Sequence, residues 1–221
     1  MLVSLLLTVA ALSLPPATPC ISYEDPPRTK GPSLEGDVDS DGRADTVWTR
    51  ARWVSGARCR ASLHVRTAVG DLAVAVQPAS QGGSVLAPPG LAGLARVDRR
   101  PGLEVALVPW EGASTTFVVV YALRAGRLVR LKSPLFGHGG SVANRSGVDC
   151  VRKRGALVVS SSASYVSGGS YRVVRRFFGL RRDAFVLKST DRFRVPDYEA
   201  LAGFPELANA SQPFPSCTIV S

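Results

Sequence analysis

Four aspartates alternate along one short stretch, Gly36-Asp37-Val38-Asp39-Ser40-Asp41-Gly42-Arg43-Ala44-Asp45. Counted from Asp37, the carboxylates fall at positions 1, 3, 5 and 9, with glycine at 6. In a tight loop, alternate residues turn inward together while the intervening ones point away. Calcium, a hard divalent cation, takes roughly six to eight oxygens at about 2.3–2.6 Å, which such a loop supplies. Gly42 permits the sharp bend, and the bend lets the Arg43 backbone carbonyl face the ion. The expected ligands are therefore Asp37, Asp39, Asp41, the Arg43 carbonyl and Asp45, and the expected cofactor is Ca2+. A helix-flanked calcium loop would close with glutamate at position 12, but that position is Trp48, inside a run of strand formers. The loop must feed a β-strand, with Asp45 as its closing ligand. The alternative is a solvated acidic turn, in which unbound carboxylates so close would repel one another.

A second stretch keeps the pattern and changes the chemistry. Aligning Glu104 with Asp45 puts Arg96, Asp98 and Arg100 where Asp37, Asp39 and Asp41 stand, and Pro101 where the turn glycine stands. Two ligands have become arginines, so no calcium is expected there. Arg96 or Arg100 is expected to supply the positive charge instead, pairing with Asp98 or Glu104; drift without pairing is the alternative.

Catalytic constellations are not legible. His64 falls mid-strand and His138 in a Gly-rich stretch, and there is no GxSxG elbow, HExxH pair or phosphate loop. The densest carboxylate cluster is already accounted for as metal ligands. The chain is therefore read as a non-enzyme, with a secreted hydrolase of unrecognised site as the alternative. Ser160 to Ser164 reads as a strand end and hairpin loop. Arg172, Arg175, Arg176, Arg181 and Arg182 surround Phe177-Phe178, giving either a sheet face with Phe buried and Arg exposed or a contact for an anionic glycan or teichoic acid.

The elements that must position these residues are strands. At 221 residues the chain suits one domain, and 45 % hydrophobic content allows a packed core. Gly 21 and Pro 16 favour many short elements joined by turns. Candidate strands lie at residues 46–53, 62–67 and 72–76, then at 103–108, 116–123 and 127–131, then at 148–151, 156–160, 170–178 and 184–187. They group into about three blade-sized units of roughly 50–60 residues, with the Gly-rich link 136–140 between the last two. The expected class is all-β, with antiparallel blade-like sheets in a propeller-like or irregular open assembly; a distorted β-sandwich is the alternative. Residues 21–35 read as a Pro-rich arm, and a short helix is expected at 198–202.

The chain opens on MLVSLLLTVAALSL, an apolar run shorter than the roughly 20 residues a spanning helix needs and suited to a secretory signal. Residues 1–19 are assigned to that signal and 20–221 to a single β domain, secreted or at the cell envelope, with no transmembrane span. Pro19 before Cys20 spoils a lipidation box. Cys20, Cys59, Cys150 and Cys217 lack zinc-knuckle spacing and read as disulfides. Of the three connectivities, Cys20–Cys59 with Cys150–Cys217 is expected, since each bond ties a terminal arm to the body. The net charge of +10 is read as an ordinary solvated basic surface; the alternative is an anionic partner, an extracellular ligand such as a cell-wall polymer or a protein. No motif for specific nucleic-acid binding is present. Asn144-Arg145-Ser146 and Asn209-Ala210-Ser211 match glycosylation sequons, meaningful only on a eukaryotic secretory route.

The loop Asp37 to Asp45 feeding a strand resembles the FG-GAP/VCBS repeats, calcium-bearing β-blades also seen in integrin α-chain propellers. With TTFVVVYALRAGRLVRL at 115 to 131, the chain is similar to small exported VCBS-type proteins of actinobacteria. The resemblance implies a structural or adhesive role in which the ion orders the loop. It implies no reaction.

Overall fold

A computed structural model of the chain describes residues 18–19, 30–54, 58–77, 79–81, 84–86, 88–111, 114–153, 155–209 and 212–220. Strand β1 (Thr18–Pro19) pairs with the start of β4. Strands β2 (Lys30–Gly36), β3 (Asp45–Val54), β4 (Arg58–Thr67) and β5 (Gly70–Val76) form a first antiparallel meander. A small hairpin, β6 (Ala79–Gln81) and β7 (Ser84–Leu86), follows. The second meander is β8 (Gly90–Ala95), β9 (Glu104–Glu111), β10 (Thr115–Arg124) and β11 (Arg127–Arg130). Strand β12 (Phe136–Gly140) pairs with the first half of β10 and leads into β13. The third meander is β13 (Asn144–Lys153), β14 (Ala156–Tyr165), β15 (Tyr171–Arg181) and β16 (Ala184–Val195). After a 3-10 turn at Glu199–Gly203 and the short helix α1 (Pro205–Ala208), β17 (Thr218–Val220) returns to pair with β8.

The result is almost all β, in antiparallel sheets that do not close into a barrel, as the composition and periodicity led one to expect. Two cores explain the stacking. Val47, Leu63 and Val65 of the first meander meet Leu94, Val105, Leu107, Val119 and Tyr121 of the second. The opposite face of the second meander, through Ala106, Val118, Val120 and Ala122, meets Phe136, Val148, Val158, Phe178 and Phe185. The middle meander is thus covered on both sides, which is why Phe117 to Leu123 reads as a continuous apolar run and not as an alternation. A third cluster packs Leu201 and Leu207 of the C-terminal turns against Ala163, Tyr171 and Val173.

Several boundaries differ from the sequence-based expectation. Lys30–Gly36, expected in an extended arm, is the edge strand of the first sheet. The Gly-rich link is strand β12, squeezed between neighbours: a Cβ on Gly140 would lie 2.1 Å from the Asn144 carbonyl. Its glycines mark close backbone approach. Ser160 to Ser164 lies within β14, because pairing with β13 and β15 carries that strand to Tyr165. Helical turns do occupy the tail, at Glu199–Gly203 and Pro205–Ala208.

Cys150 and Cys217 are disulfide-bonded, with Cα atoms 5.9 Å apart. Cys20 lies outside the described residues, as do residues 1–17 and 21–29, so the Cys20–Cys59 pairing and the signal segment are not described. Among the described residues, no helix is long and apolar enough to cross a membrane.

Candidate metal centre

Gly36 and Asp45 are cross-strand partners, so residues 37–44 form the connection between β2 and β3. Val38 is sunk into the first core, which pins the loop from below. Asp45 is the closing group. Only 2 % exposed, its Oδ2 accepts the Val38 N–H at 2.8 Å and the Asp39 N–H at 3.2 Å. Asp37 Oδ2 accepts the Gly42 N–H at 3.2 Å, and Asp39 Oδ1 accepts the Asp41 N–H at 3.1 Å. These bonds curl the chain inward, with Ser40 (φ 68°) and Gly42 (φ 84°) in the left-handed region.

The outcome is a convergence of three carboxylates: Asp37, Asp39 and Asp45 each bring an oxygen to within 4.8 Å of the others. Asp37 Oδ1 is buried and accepts no hydrogen bond. A carboxylate oxygen taken out of water without a partner is costly, and a cation is the partner this arrangement fits. Burial pushes the Asp45 carboxyl above its ordinary value, opposed by its two backbone N–H bonds and reinforced by the charges of Asp39 and Asp41. Asp41 is not part of the group of three; its Oδ1 accepts the Arg43 N–H at 2.8 Å in the exposed part of the loop. Among the described residues no basic side chain is ion-paired with any of these four aspartates.

The second loop, between β8 and β9, repeats the closing part of this scaffold. Glu104 Oε2 accepts the Val97 N–H at 2.8 Å and the Asp98 N–H at 3.3 Å, and Asp98 Oδ1 accepts the Arg100 N–H at 2.6 Å. The expected countercharge is present but comes from a different residue. Arg124, at the end of β10, pairs through its guanidinium with Asp98 and, at 3.6 Å, with Glu104. Arg96 and Arg100 are exposed and contribute backbone N–H groups. Sequence reasoning missed Arg124 because only the β9–β10 pairing brings it to a loop far upstream. The two loops also touch. The Leu103 N–H donates to the Asp37 carbonyl at 3.0 Å, and a Cβ on Gly102 (φ 96°) would lie 2.5 Å from the Val38 carbonyl.

The outer face of the first meander holds a hollow of about 650 Å3 lined in part by Arg50, Arg52, Ser62 and His64. Ser62 Oγ and His64 Nε2 are 2.8 Å apart, a nucleophile-and-base contact. A serine hydrolase also needs an acid on the other ring nitrogen and donors for an oxyanion. The nearby Asp71 carboxylate is committed to Arg66, at 2.8 and 3.0 Å. The ladder on either side consumes the strand N–H groups. Burial, then Arg50, holds the His64 pKa below its ordinary value, and the ring stacks on Trp48 at 5.1 Å. This is how a cross-strand packing pair is built. His138 lies apart, buried in β12.

Comparison with family models, curated proteins and solved structures gave no match.

Proposed function

We propose that this chain is an exported, non-catalytic calcium-binding module of the FG-GAP/VCBS kind, structural or adhesive at the cell envelope. One comparison within the molecule carries the reading. Two loops share one hydrogen-bonded scaffold, and in the second an internal guanidinium lies against its two acids. The first loop brings three acids together with no such guanidinium among the described residues, and it buries an unpartnered carboxylate oxygen. A divalent ion is the equivalent countercharge. Asp37, Asp39 and Asp45 would hold it, with the Asp41 side chain and the Arg43 carbonyl completing the set. Bound there, calcium fixes the turn between β2 and β3 and so the edge of the first sheet.

Titration calorimetry should register about one calcium site. At calcium near 100 times Kd the folded state gains about 2.7 kcal/mol, equivalent to a rise in Tm of roughly 5–10 °C over chelated protein. Asp37→Asn should abolish that rise. A melting temperature indifferent to both calcium and chelator sinks the reading.

A second reading, a secreted hydrolase, attaches to the Ser62–His64 contact in the hollow of the first meander. Turnover on a panel of ester, peptide and glycan substrates, lost in Ser62→Ala, would favour it over the first.

A further inference from the structure

The third meander carries a regular array of arginine and serine on one face. Ser162 and Ser164 of β14 lie beside Val174 and Arg172 of β15, which in turn face Arg192 and Arg194 of β16; Arg176 continues the same side. All four arginines are exposed, and among the described residues none of them forms an ion pair. Arg172 and Arg194 stand directly opposite each other, an arrangement that is destabilising unless something neutralises it. No aspartate or glutamate shares the face; Asp191 is the cross-strand partner of Arg175, on the reverse side. Where the fold uses an arginine structurally it provides the acid: Arg175 is turned in against buried Glu206 at 2.8 Å. The serines point the same way. Serine is a poor strand former, yet Ser160, Ser162 and Ser164 take alternate positions of a central strand and offer small hydroxyls between the guanidinium groups. At its other end the face passes into the second core through Val158 and Phe178, which fixes its orientation.

We propose that this face binds a linear polyanion, a sugar or polyol chain bearing repeated phosphate or carboxylate groups. Cross-strand neighbours lie about 5 Å apart and same-face neighbours along a strand about 7 Å, so guanidinium forks recur at the spacing of charges on a polymer of short repeat. Each fork can grip a phosphate or carboxylate with two parallel N–H bonds. A single-stranded nucleic acid would want aromatic platforms for its bases, and the exposed end of the face has only Val174 as an apolar residue. The proposal rests on the binding-module reading and is independent of the metal loop.

The test uses the full chain with poly(glycerol phosphate), polygalacturonate, neutral dextran and a single-stranded oligonucleotide, each with calcium and with chelator. One or both anionic polymers should bind and dextran should not, with affinity falling as salt rises. The two anionic arms tell phosphate from carboxylate. Arg172→Ser with Arg194→Ser should weaken binding about tenfold or more. Arg50→Ser with Arg52→Ser, the same charge change on the first meander, should weaken it less than about twofold. Equal losses in the two double variants would mean that net charge alone attracts the polymer, and would overturn the proposal. So would tighter binding of the oligonucleotide, or no binding of either polyanion. Polymer binding with no thermal response to calcium sinks the metal reading alone; the reverse sinks this one alone.

Discussion

Arg124→Met is expected to destabilise the protein by about 3–5 kcal/mol, because it strands two buried carboxylates without their cation. Asp98 and Glu104 side chains are each 2 % exposed and Arg124 is 14 % exposed, so water cannot replace the lost partner. The exposed Arg100, which sequence alignment nominated for the same role, gives the contrast: Arg100→Ala should stay within about 0.5 kcal/mol. Urea denaturation of the three proteins decides the matter, and equal midpoints would refute the account. A pH series adds an independent reading. Burial first, then the charge of Asp98, pushes the Glu104 carboxyl up to about 7 from an ordinary 4.5. Between those values the folded chain keeps a proton that the unfolded chain has released, so this group's contribution to stability falls as pH rises through that window and levels off above it. Arg124 acts the other way, holding the pKa down. Its removal should carry the fall in stability beyond pH 7, so the variant's deficit should widen with pH. Parallel profiles would show that Arg124 does not face these acids.

The second large effect belongs to the Cys150–Cys217 bond. It closes a loop with a sequence separation of 67, for which loss of unfolded-chain entropy predicts a stabilisation of about 4 kcal/mol. Its position argues for the upper part of the usual range. Cys150 lies on β13, and Cys217 precedes β17, which pairs with β8 of the middle meander. The Cys217 carbonyl also accepts the Arg96 N–H, and neighbouring Phe214 is fully buried in the second core. Replacing both cysteines by serine should therefore lower the denaturation midpoint and raise amide exchange in β8 and β17 together. If the doubly substituted protein unfolds at the parent midpoint, the tail is held by its packing alone.

How far these features can be read from sequence depends on how local their causes are. The Asp37 to Asp45 loop is legible because its hydrogen bonds close within one turn, and the same spacing in Arg96 to Glu104 identified a related loop closed by Glu104. The strands of the middle meander were visible as apolar runs, since burial on both faces removes the need for polar alternation. What escaped depends on partners distant in the chain. Arg124 reaches its acids through strand pairing. Strand β12 exists because β10 and β13 flank it, although its composition reads as a linker. The basic face of the third meander needed a register: Arg175 and Arg176 are neighbours in sequence and point to opposite sides.

The bond from Leu103 to Asp37 and the tight seat of Gly102 under Val38 have a bearing on inheritance and engineering. The acidic turn is moulded from outside by its relative as well as from within. Transplanting residues 36–45 alone onto a foreign hairpin would carry over the oxygens and leave their template behind. If the proposed calcium site is real, such a graft should hold the cation far more weakly than the parent, because the heritable part is the nested pair.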